Sequence, residues 1–404
     1  RWGNFWSVSA AWKVSEESFF SGFTGLFPEV KLRASYGVNG TLPSGYYEYM
    51  GLSSYGEDYN SQPGIIETQF FNNNLKWETN YNANFGIDVN VKNIVRFSLE
   101  LYNRLTKDLL MNEPTSLTTG FSSILSNIGE MRNRGFEFEL MSSNISNKNF
   151  NWSTSFNISH NKNEILVLDG IQTSIISGTQ IRMVGMPYHT FYLREFAGVD
   201  PADGMTWFYT NTVDENGNYV KEKTKDLNTA NAIPLQSPYP KVLGGLVNNF
   251  RFYFVDLGFT FTYSLGGYSY DSAAGKLDKE GTTNGLDANI HIYYRDRWRK
   301  PGDESRYGIY IANNKWDLAD GYSNSRRIHS TDHLRLKNIS LGITVPSKYT
   351  DYAKIERARI FASASNIWTV ASWKMYDPEV GNDGVMGWQT PPMKTMTFGL
   401  DLTF

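Results

Sequence analysis

The final ten residues of the chain alternate strictly between apolar and polar side chains. Every second position is apolar, from Met396 through Leu400 to Phe404, and the positions between them are threonine, glycine or aspartate. A period of two belongs to an extended strand and not to a helix, so the segment predicts a half-buried β-strand. An uncovered apolar strand face invites aggregation in water. A transmembrane barrel, in which that face contacts lipid, accommodates the pattern better than a soluble sandwich does.

The same alternation recurs along the chain and predicts about eleven strands. They cover residues 2–14, 30–38, 83–91, 97–101, 136–140, 152–158, 242–250, 255–265, 334–345, 358–364 and 395–404. A change of phase at Lys337-Asn338 predicts a β-bulge. Most segments are close to the roughly 9–11 residues that a tilted membrane-crossing strand needs. Their connections alternate between short and long, as in outer-membrane barrels with short periplasmic turns and long extracellular loops.

We therefore predict an all-β fold, an antiparallel transmembrane β-barrel. The alternating polar faces carry charges that suit a water-filled lumen, at Arg96, Glu100, Glu137, Glu139, Arg357 and Arg359. The composition agrees, because the 404 residues contain 15 % aromatic side chains and have no apolar run of the length that a membrane-spanning helix needs. The net charge of −3 argues against a nucleic-acid partner. The lack of cysteine excludes disulfide and thiolate chemistry.

No catalytic or metal-binding constellation stands out in the sequence. The five histidines are scattered without metal-ligand spacing, and His333 belongs to a strand start. Asp214–Asn218 and Asp200–Gly204 contain several oxygen donors, but a tight turn explains each better than a calcium loop does. We expect no enzyme activity, no metal and no cofactor.

The long connections are rich in aromatic residues. Flat rings beside Asp, Asn and Arg suit sugar stacking or the anchoring of a partner protein, and packing within the loops is the alternative explanation. The candidates for contact with substrate or with a covering partner are Tyr46, Tyr47, Tyr49, Trp207, Tyr209, Tyr293, Tyr294, Trp298, Tyr307 and Trp316.

Four stretches carry a resemblance to a known family. They are residues 119–138, residues 332–346, the pair 364–368 with 377–380, and residues 398–404. Together they resemble the C-terminal half of SusC/RagA-type TonB-dependent transporters of the Bacteroidota outer membrane. That resemblance implies a barrel of about 22 strands, of which this chain supplies about eleven.

The resemblance also implies partners and a function. Members have a plug domain and a TonB-contacting segment, neither of which is recognisable here, so residues 1–404 are expected to be the C-terminal part of the barrel domain. The remaining strands and the plug, in the same or a separate polypeptide, are then needed, since half a barrel leaves open edges in lipid. Phe404 is expected to take part in barrel assembly. The implied partners are a SusD-like surface lipoprotein, the TonB complex acting through the plug, and outer-membrane lipid. The implied function is active import of an oligosaccharide or a peptide.

Three other functions remain open at this point. A passive porin-like pore would need a constricted lumen and no plug. A surface adhesin or glycan-binding module would fold in water without detergent. A barrel enzyme would need a converged catalytic set, which the scattered histidines do not favour.

Overall fold

Eleven strands pair in chain order into one antiparallel sheet. We describe the computed structural model over residues 3–169, 173–274, 291–311 and 323–404. The sheet strands are β1 (Trp6–Lys13), β2 (Glu29–Thr41), β3 (Glu78–Val91), β4 (Val95–Lys107), β5 (Gly129–Ser146), β6 (Phe150–Leu168), β7 (Val242–Phe252), β8 (Val255–Leu265), β9 (His333–Thr344), β10 (Arg357–Ala371) and β11 (Thr395–Thr403). The predicted strand number and antiparallel arrangement are confirmed.

The predicted alternation sorts the side chains of the sheet into two faces. Residues directly opposite each other in paired strands share a face. One apolar row crosses ten strands at Trp12, Leu32, Ile87, Leu99, Phe138, Ile158, Gly244, Tyr263, Leu334 and Val370. Many large apolar side chains on this face are exposed, among them Trp12, Leu334 and Val370, and Phe398 on β11 is 80 % exposed. The sheet therefore presents its apolar side outward instead of burying it in a core.

All the long connections leave the same end of the sheet. The connections 14–28, 92–94, 147–149, 253–254 and 345–356 alternate with the longer connections 42–77, 108–128, 169–241, 266–332 and 372–394. Because successive strands are antiparallel, the first group lies at one end and the second group at the other. The predicted alternation of short turns and long loops is confirmed.

Two details of the strands differ in how well the sequence predicted them. The register between β8 and β9 shifts so that Thr260 faces Asn338 and Phe261 faces Leu336, which places the predicted bulge at Lys337. In contrast, β5 and β6 extend well beyond the alternating segments, and their ends pair as far as Gly129 and Leu168. Residues 130–135 and 159–164 of these extensions are mostly polar on both faces, and residues 165–168 form a continuous apolar run, so no apolar alternation reveals them.

The long connections contain their own small elements. Their strands are Leu52–Tyr59, Gln62–Gln69, Leu110–Pro114, Ser123–Asn127, Ser174–Ser177, Gln180–Met183, Thr190–Arg194, Phe196–Val199, Thr206–Tyr209, Thr212–Val213, Tyr219–Val220, Lys223–Thr224, Ala232–Pro234, Tyr268–Asp271, Ile328–Ser330 and Val385–Met386. The short helices of the described residues are Val14–Glu16, Ser18–Phe23, Leu117–Thr119, Ile292–Asp296, Ser325–Arg327, Ser347–Thr350 and Asp351–Ala353. None of the helices described in this chain has the length and apolar character needed to cross a membrane.

Candidate functional site

The polar side chains of the sheet also form rows that cross many strands. One row runs through Asp88, Ser98, Glu139, Asn157, Gly245, Thr262 and Arg335. The six charged residues predicted to face a lumen share this side of the sheet. A sheet that is polar on one face and apolar on the other fits a wall between water and lipid.

An arginine on β2 braces this polar face across two strands. Arg33 Nε donates to Asp88 Oδ2 on β3 at 2.8 Å, and its Nη1 lies 3.3 Å from Glu100 Oε2 on β4. Gly86 stands between them, paired with Arg33 on one side and with Glu100 on the other. A Cβ at Gly86 would lie 2.8 Å from Arg33 Nη2. The missing side chain therefore gives the guanidinium its path across β3.

The same arrangement recurs on the last strands. Arg359 Nη2 on β10 donates to Asp256 Oδ2 on β8 at 2.6 Å, and its Nε donates to Oδ1 at 3.2 Å. Gly342 on β9 lies between the two strands, and a Cβ there would collide with both side chains. Both bridging arginines thus pass over a glycine, although Gly86 pairs directly with Arg33 whereas Gly342 pairs with Phe361.

The long connections pack together into what we call the loop layer, comprising residues 42–77, 108–128, 169–241, 266–332 and 372–394 where described. Phe191, Leu193 and Tyr270 are buried in one apolar cluster, against which Ile328 and Val385 pack. These residues come from three different connections, so the loops share a core instead of standing apart. A second cluster joins the connection 108–128 to Ile175.

A stacked pair ties two of these connections together. The rings of His329 and Trp373 are parallel, with centroids 3.6 Å apart. Burial lowers the pKa of His329 to about 3, and the nearby cations Arg306 and Arg327 add to the effect. The imidazole is therefore neutral at ordinary pH and packs as an aromatic ring.

The predicted aromatic candidates fall into different environments. Tyr46 is 95 % exposed, and Tyr47 is also exposed. Tyr46 and Tyr49 line an open cavity of about 620 Å³ together with Lys76 and Trp77. Tyr46 and Tyr47 therefore have accessible rings and Tyr49 is partly buried, and their contact with substrate or with a covering partner stays a prediction.

Lysines cover the rings of Trp207 and Tyr209. Lys223 Nζ lies 4.4 Å from the centre of the Trp207 ring, and Lys221 Nζ lies 5.3 Å from the centre of the Tyr209 ring. Lys225 Nζ lies 5.7 Å from the centre of the same Trp207 ring. Cation–π contacts of this kind occupy a ring face that a sugar would otherwise use.

Tyr294 and Trp298 are packed inside the loop layer. They are 3 % and 6 % exposed, and Trp298 Nε1 donates to the Pro201 carbonyl at 2.9 Å. Tyr307 packs edge-on against Tyr294, whereas Tyr293 stays exposed at the surface. The alternative explanation, packing within the loops, therefore fits Tyr294 and Trp298. The candidate Trp316 lies outside the described residues.

The two acidic turns are organised by hydrogen bonds within the protein. Lys225 Nζ contacts Asp200 Oδ2 at 2.5 Å and Asp203 Oδ2 at 2.6 Å, and these bonds lower the pKa of both carboxyl groups. Asp214 Oδ1 accepts from the backbone N–H groups of Asn216 and Asn218 and closes a hairpin. No group of three or more metal-ligating residues occurs among residues 3–169, 173–274, 291–311 and 323–404.

A cavity of about 570 Å³, which we call the mouth cavity, opens where the polar face meets the loop layer. Arg335 on β9 and Thr369 on β10 form one wall. The connection 372–394 forms the other, chiefly through Trp373, Tyr376, Asp377, Glu379 and Gln389. Arg335 is only 2 % exposed, and its Nη2 donates to Asp377 Oδ2 at 2.6 Å.

The sequence alone predicted no role for Arg335 or Asp377. Arg335 lies in the stretch 332–346 and Asp377 in the stretch 377–380, both of which carry the family resemblance. A buried arginine rarely lacks an acidic partner, so the burial of Arg335 requires a carboxylate beside it. Nothing in the sequence selects Asp377 from the other acids, because the contact joins a strand to a distant connection.

Comparison with known proteins agrees with this geometry. Residues 1–239 match the family model described as TonB dependent receptor-like, beta-barrel. TonB-dependent receptor P39 of Formosa agariphila is 30 % identical over 100 % of this chain, which spans 43 % of that protein. TonB-dependent receptor SusC of Bacteroides thetaiotaomicron is 27 % identical over 100 % of the chain and 40 % of its own length. The chain therefore spans less than half the length of these relatives.

Solved structures share the fold. A structure described as the RagAB peptide transporter superimposes with a TM-score of 0.85 and 25 % identity, covering 99 % of this chain and 43 % of that one. The RagAB peptide importer in its closed-closed state gives a TM-score of 0.84 at the same identity and coverage.

Proposed function

As a member of the TonB-dependent receptor-like β-barrel family, this chain is an outer-membrane protein, and we propose that it forms half the barrel of a SusC/RagA-type nutrient importer. Residues 1–404 would be the C-terminal part of the barrel domain, and the plug and the other strands would complete it. The single observation that carries the proposal is the eleven-strand sheet with an exposed apolar face and a charged polar face.

The edges of the sheet support the need for further strands. Within the described residues, β1 pairs only with β2, and β11 pairs only with β10. Unpaired backbone groups in lipid cost several kcal/mol each, so membrane strands occur in closed barrels. We propose that the missing strands pair with β1 and β11, and that Phe404, exposed directly after β11, contributes to this assembly.

The loop layer supports a role in capturing cargo. It has its own apolar core, exposed tyrosines and a cavity facing the polar side of the sheet. We propose that a SusD-like lipoprotein covers this end and that TonB acts on the plug at the other. The cargo would be an oligosaccharide or a peptide, the classes that the family resemblance implies, and the RagAB structures are described as those of a peptide transporter. The chain would supply wall and binding surface and no covalent chemistry.

The test is uptake by cells that carry the complete protein containing this chain. Labelled oligosaccharides and peptides are supplied to strains with and without its gene, and with and without an intact TonB system. We expect accumulation of one cargo class to require both, and the detergent-purified protein to bring a lipoprotein with it. Uptake that needs no TonB would indicate a passive pore. A chain that is soluble without detergent would indicate a surface binding module.

A further inference from the structure

A group of cations, which we call the basic patch, lies on the apolar side of the sheet close to the loop layer. It comprises Arg132 and Arg134 on β5 and Lys162 on β6. Phe138 faces Ile158 in the apolar row, and Arg134, four residues farther along β5, faces Lys162. The patch therefore continues the side of the sheet that carries the exposed apolar side chains.

The basic patch begins where the membrane-crossing length of its two strands ends. A tilted strand needs roughly 9–11 residues to cross a membrane. Counted from Phe150 on β6, that length ends near His160, and counted from Ser146 on β5 it ends near Phe136. The rings of Phe136 and His160 lie 5.8 Å apart at this boundary. The cations beyond it therefore lie at the depth of lipid headgroups, on the side of the loop layer.

Two cations of the patch face each other directly. Arg134 lies opposite Lys162 on β6, and its other neighbour, Asn103 on β4, is neutral. Like charges at directly opposed positions destabilise a sheet. Both side chains are exposed, so an anion that contacts both of them can reach the pair and remove the repulsion.

The protein itself neutralises the patch only in part. Glu164 Oε2 lies 3.1 Å from Arg132 Nη2 and 3.3 Å from Lys162 Nζ, so one carboxylate serves two cations. The nearby Glu130 is already paired with Lys107, at 2.9 Å. Within the part of the chain that the structure describes, Arg134 forms no ion pair. The patch keeps a net positive charge, and its exposed guanidinium is available to a ligand.

We propose that the basic patch binds the phosphate group of a lipid in the outer leaflet of the membrane. An arginine holds a phosphate through two N–H groups and a lysine holds it as a point charge, so Arg134 and Lys162 together suit one phosphate. Basic residues at a membrane surface attract anionic headgroups. The acyl chains of the same lipid would then lie on the apolar face that the patch continues. The inference goes beyond import and rests on the proposed function only for the orientation, with the loop layer outside.

The experiment measures lipid binding to the complete protein that contains this chain, by native mass spectrometry in detergent. The probes are monophosphoryl lipid A, the same lipid without its phosphate, and inorganic phosphate. Wild type is compared with Arg134→Ala and with the double variant Arg134→Ala/Lys162→Ala. Lys148→Ala is the matched control, because Lys148 is an exposed lysine at the opposite end of the same two strands.

We expect wild type to bind monophosphoryl lipid A at least tenfold more tightly than the lipid without phosphate. Each lost cation of the patch should weaken that binding about fivefold, whereas Lys148→Ala should leave it unchanged. Equal affinities for the two lipids, or equal effects of Arg134→Ala and Lys148→Ala, would overturn the proposal. Binding of inorganic phosphate as tight as that of the lipid would show a general anion site and would overturn the lipid assignment.

Thermal unfolding in detergent provides a second measurement. Without lipid, Arg134→Ala removes a like-charge contact and should not lower the midpoint, which also shows that the variant folds. Monophosphoryl lipid A should raise the midpoint of wild type more than that of Arg134→Ala, and equal rises would contradict the site. Because lipid binding needs no TonB, failed uptake with intact lipid binding would refute the import function and not this site. Intact uptake without lipid binding would refute this site alone.

Discussion

Arg359 and Asp256 form an ion pair across an intervening strand, above Gly342. The arrangement repeats at Arg33 and Glu100 above Gly86. In both places a strand gives up a side chain so that its two neighbours can be linked. Such links connect polar side chains of the two flanking strands across the polar face of the sheet.

We predict that Gly342→Ala weakens the sheet. The added Cβ would displace the Arg359 guanidinium and the Asp256 carboxylate, and loss of a partly exposed ion pair costs on the order of 1 kcal/mol. The control Gly258→Ala faces only the ends of Asn249 and Ser340, which can move aside. Urea unfolding in detergent should show a lower midpoint for Gly342→Ala than for Gly258→Ala, and equal midpoints would contradict the bracing role.

A charge introduced on β11 should destabilise the protein much more on the apolar face than on the polar face. Phe398 lies on the exposed apolar face and Thr397 on the polar face. We predict that Phe398→Arg lowers the free energy of unfolding by about 2–4 kcal/mol, as for a charge placed in the lipid-facing band. Thr397→Arg should have a much smaller effect. The free energy of unfolding is measured for both variants in lipid vesicles. A larger loss for Thr397→Arg than for Phe398→Arg would show that the two faces are assigned the wrong way round.

Docking of the hairpin 196–209 onto the rest of the loop layer should depend on one glycine. Gly204 has φ +76°, and a Cβ there would lie 2.5 Å from the Trp298 ring. Gly217 has φ +82° but nothing within 4 Å. Alanine costs roughly 1 kcal/mol in backbone strain at either position. The difference between the effects of Gly204→Ala and Gly217→Ala therefore reports the clash with Trp298. Hydrogen exchange should show faster opening around residues 204–209 and 298–309 in Gly204→Ala only.

The loop layer should lose stability in acid through His329. Its pKa is lowered to about 3 in the folded protein, so the unfolded chain binds the proton more strongly between about pH 6.5 and pH 3. The stabilisation from the neutral imidazole is therefore fully present above about pH 6.5. Below that pH, the free energy of unfolding decreases by up to about 1.4 kcal/mol for each unit by which the pH is lowered. His189 shifts in the same direction, again chiefly because of burial.

The check is thermal unfolding in detergent between pH 7 and pH 4. His329→Phe keeps a ring to stack on Trp373 and removes the titration. We expect a shallower pH dependence for this variant than for wild type. Identical slopes would show that His329 is not the residue responsible.

The sheet could be predicted from the sequence because the alternation that marks each strand lies within that strand's own residues. The segment 255–265 alternates without interruption, and β8 has those bounds. The bulge at Lys337 was visible because it changes the phase of the alternation. The ends of β5 and β6 escaped prediction, since residues 130–135 and 159–164 are mostly polar on both faces and the apolar run 165–168 does not alternate.

The loop layer could be predicted only in part, because its contacts join distant segments. Aromatic content marked Tyr46 and Trp298 alike, yet one is exposed and the other is packed against Gly204. The neighbours of Trp298 lie about a hundred residues earlier in the chain, so composition cannot separate the two cases. The mouth cavity was missed for the same reason, since Arg335 meets Asp377 only after the chain has folded.

The most direct test of the central claim is a single-cysteine accessibility scan in outer membranes. The chain has no cysteine of its own, so reactivity within it reports only the introduced residue. Positions on β3 and β8 are replaced one at a time by cysteine, and each variant is either treated with a membrane-impermeant maleimide or labelled with a fluorophore on the cysteine and exposed to a lipid-soluble quencher. We predict that polar-face positions such as Asn84 and Thr262 react with the maleimide, and that apolar-face positions such as Phe85 and Phe261 respond to the quencher, with a period of two. Equal labelling of both faces by the water-soluble reagent would contradict a membrane barrel.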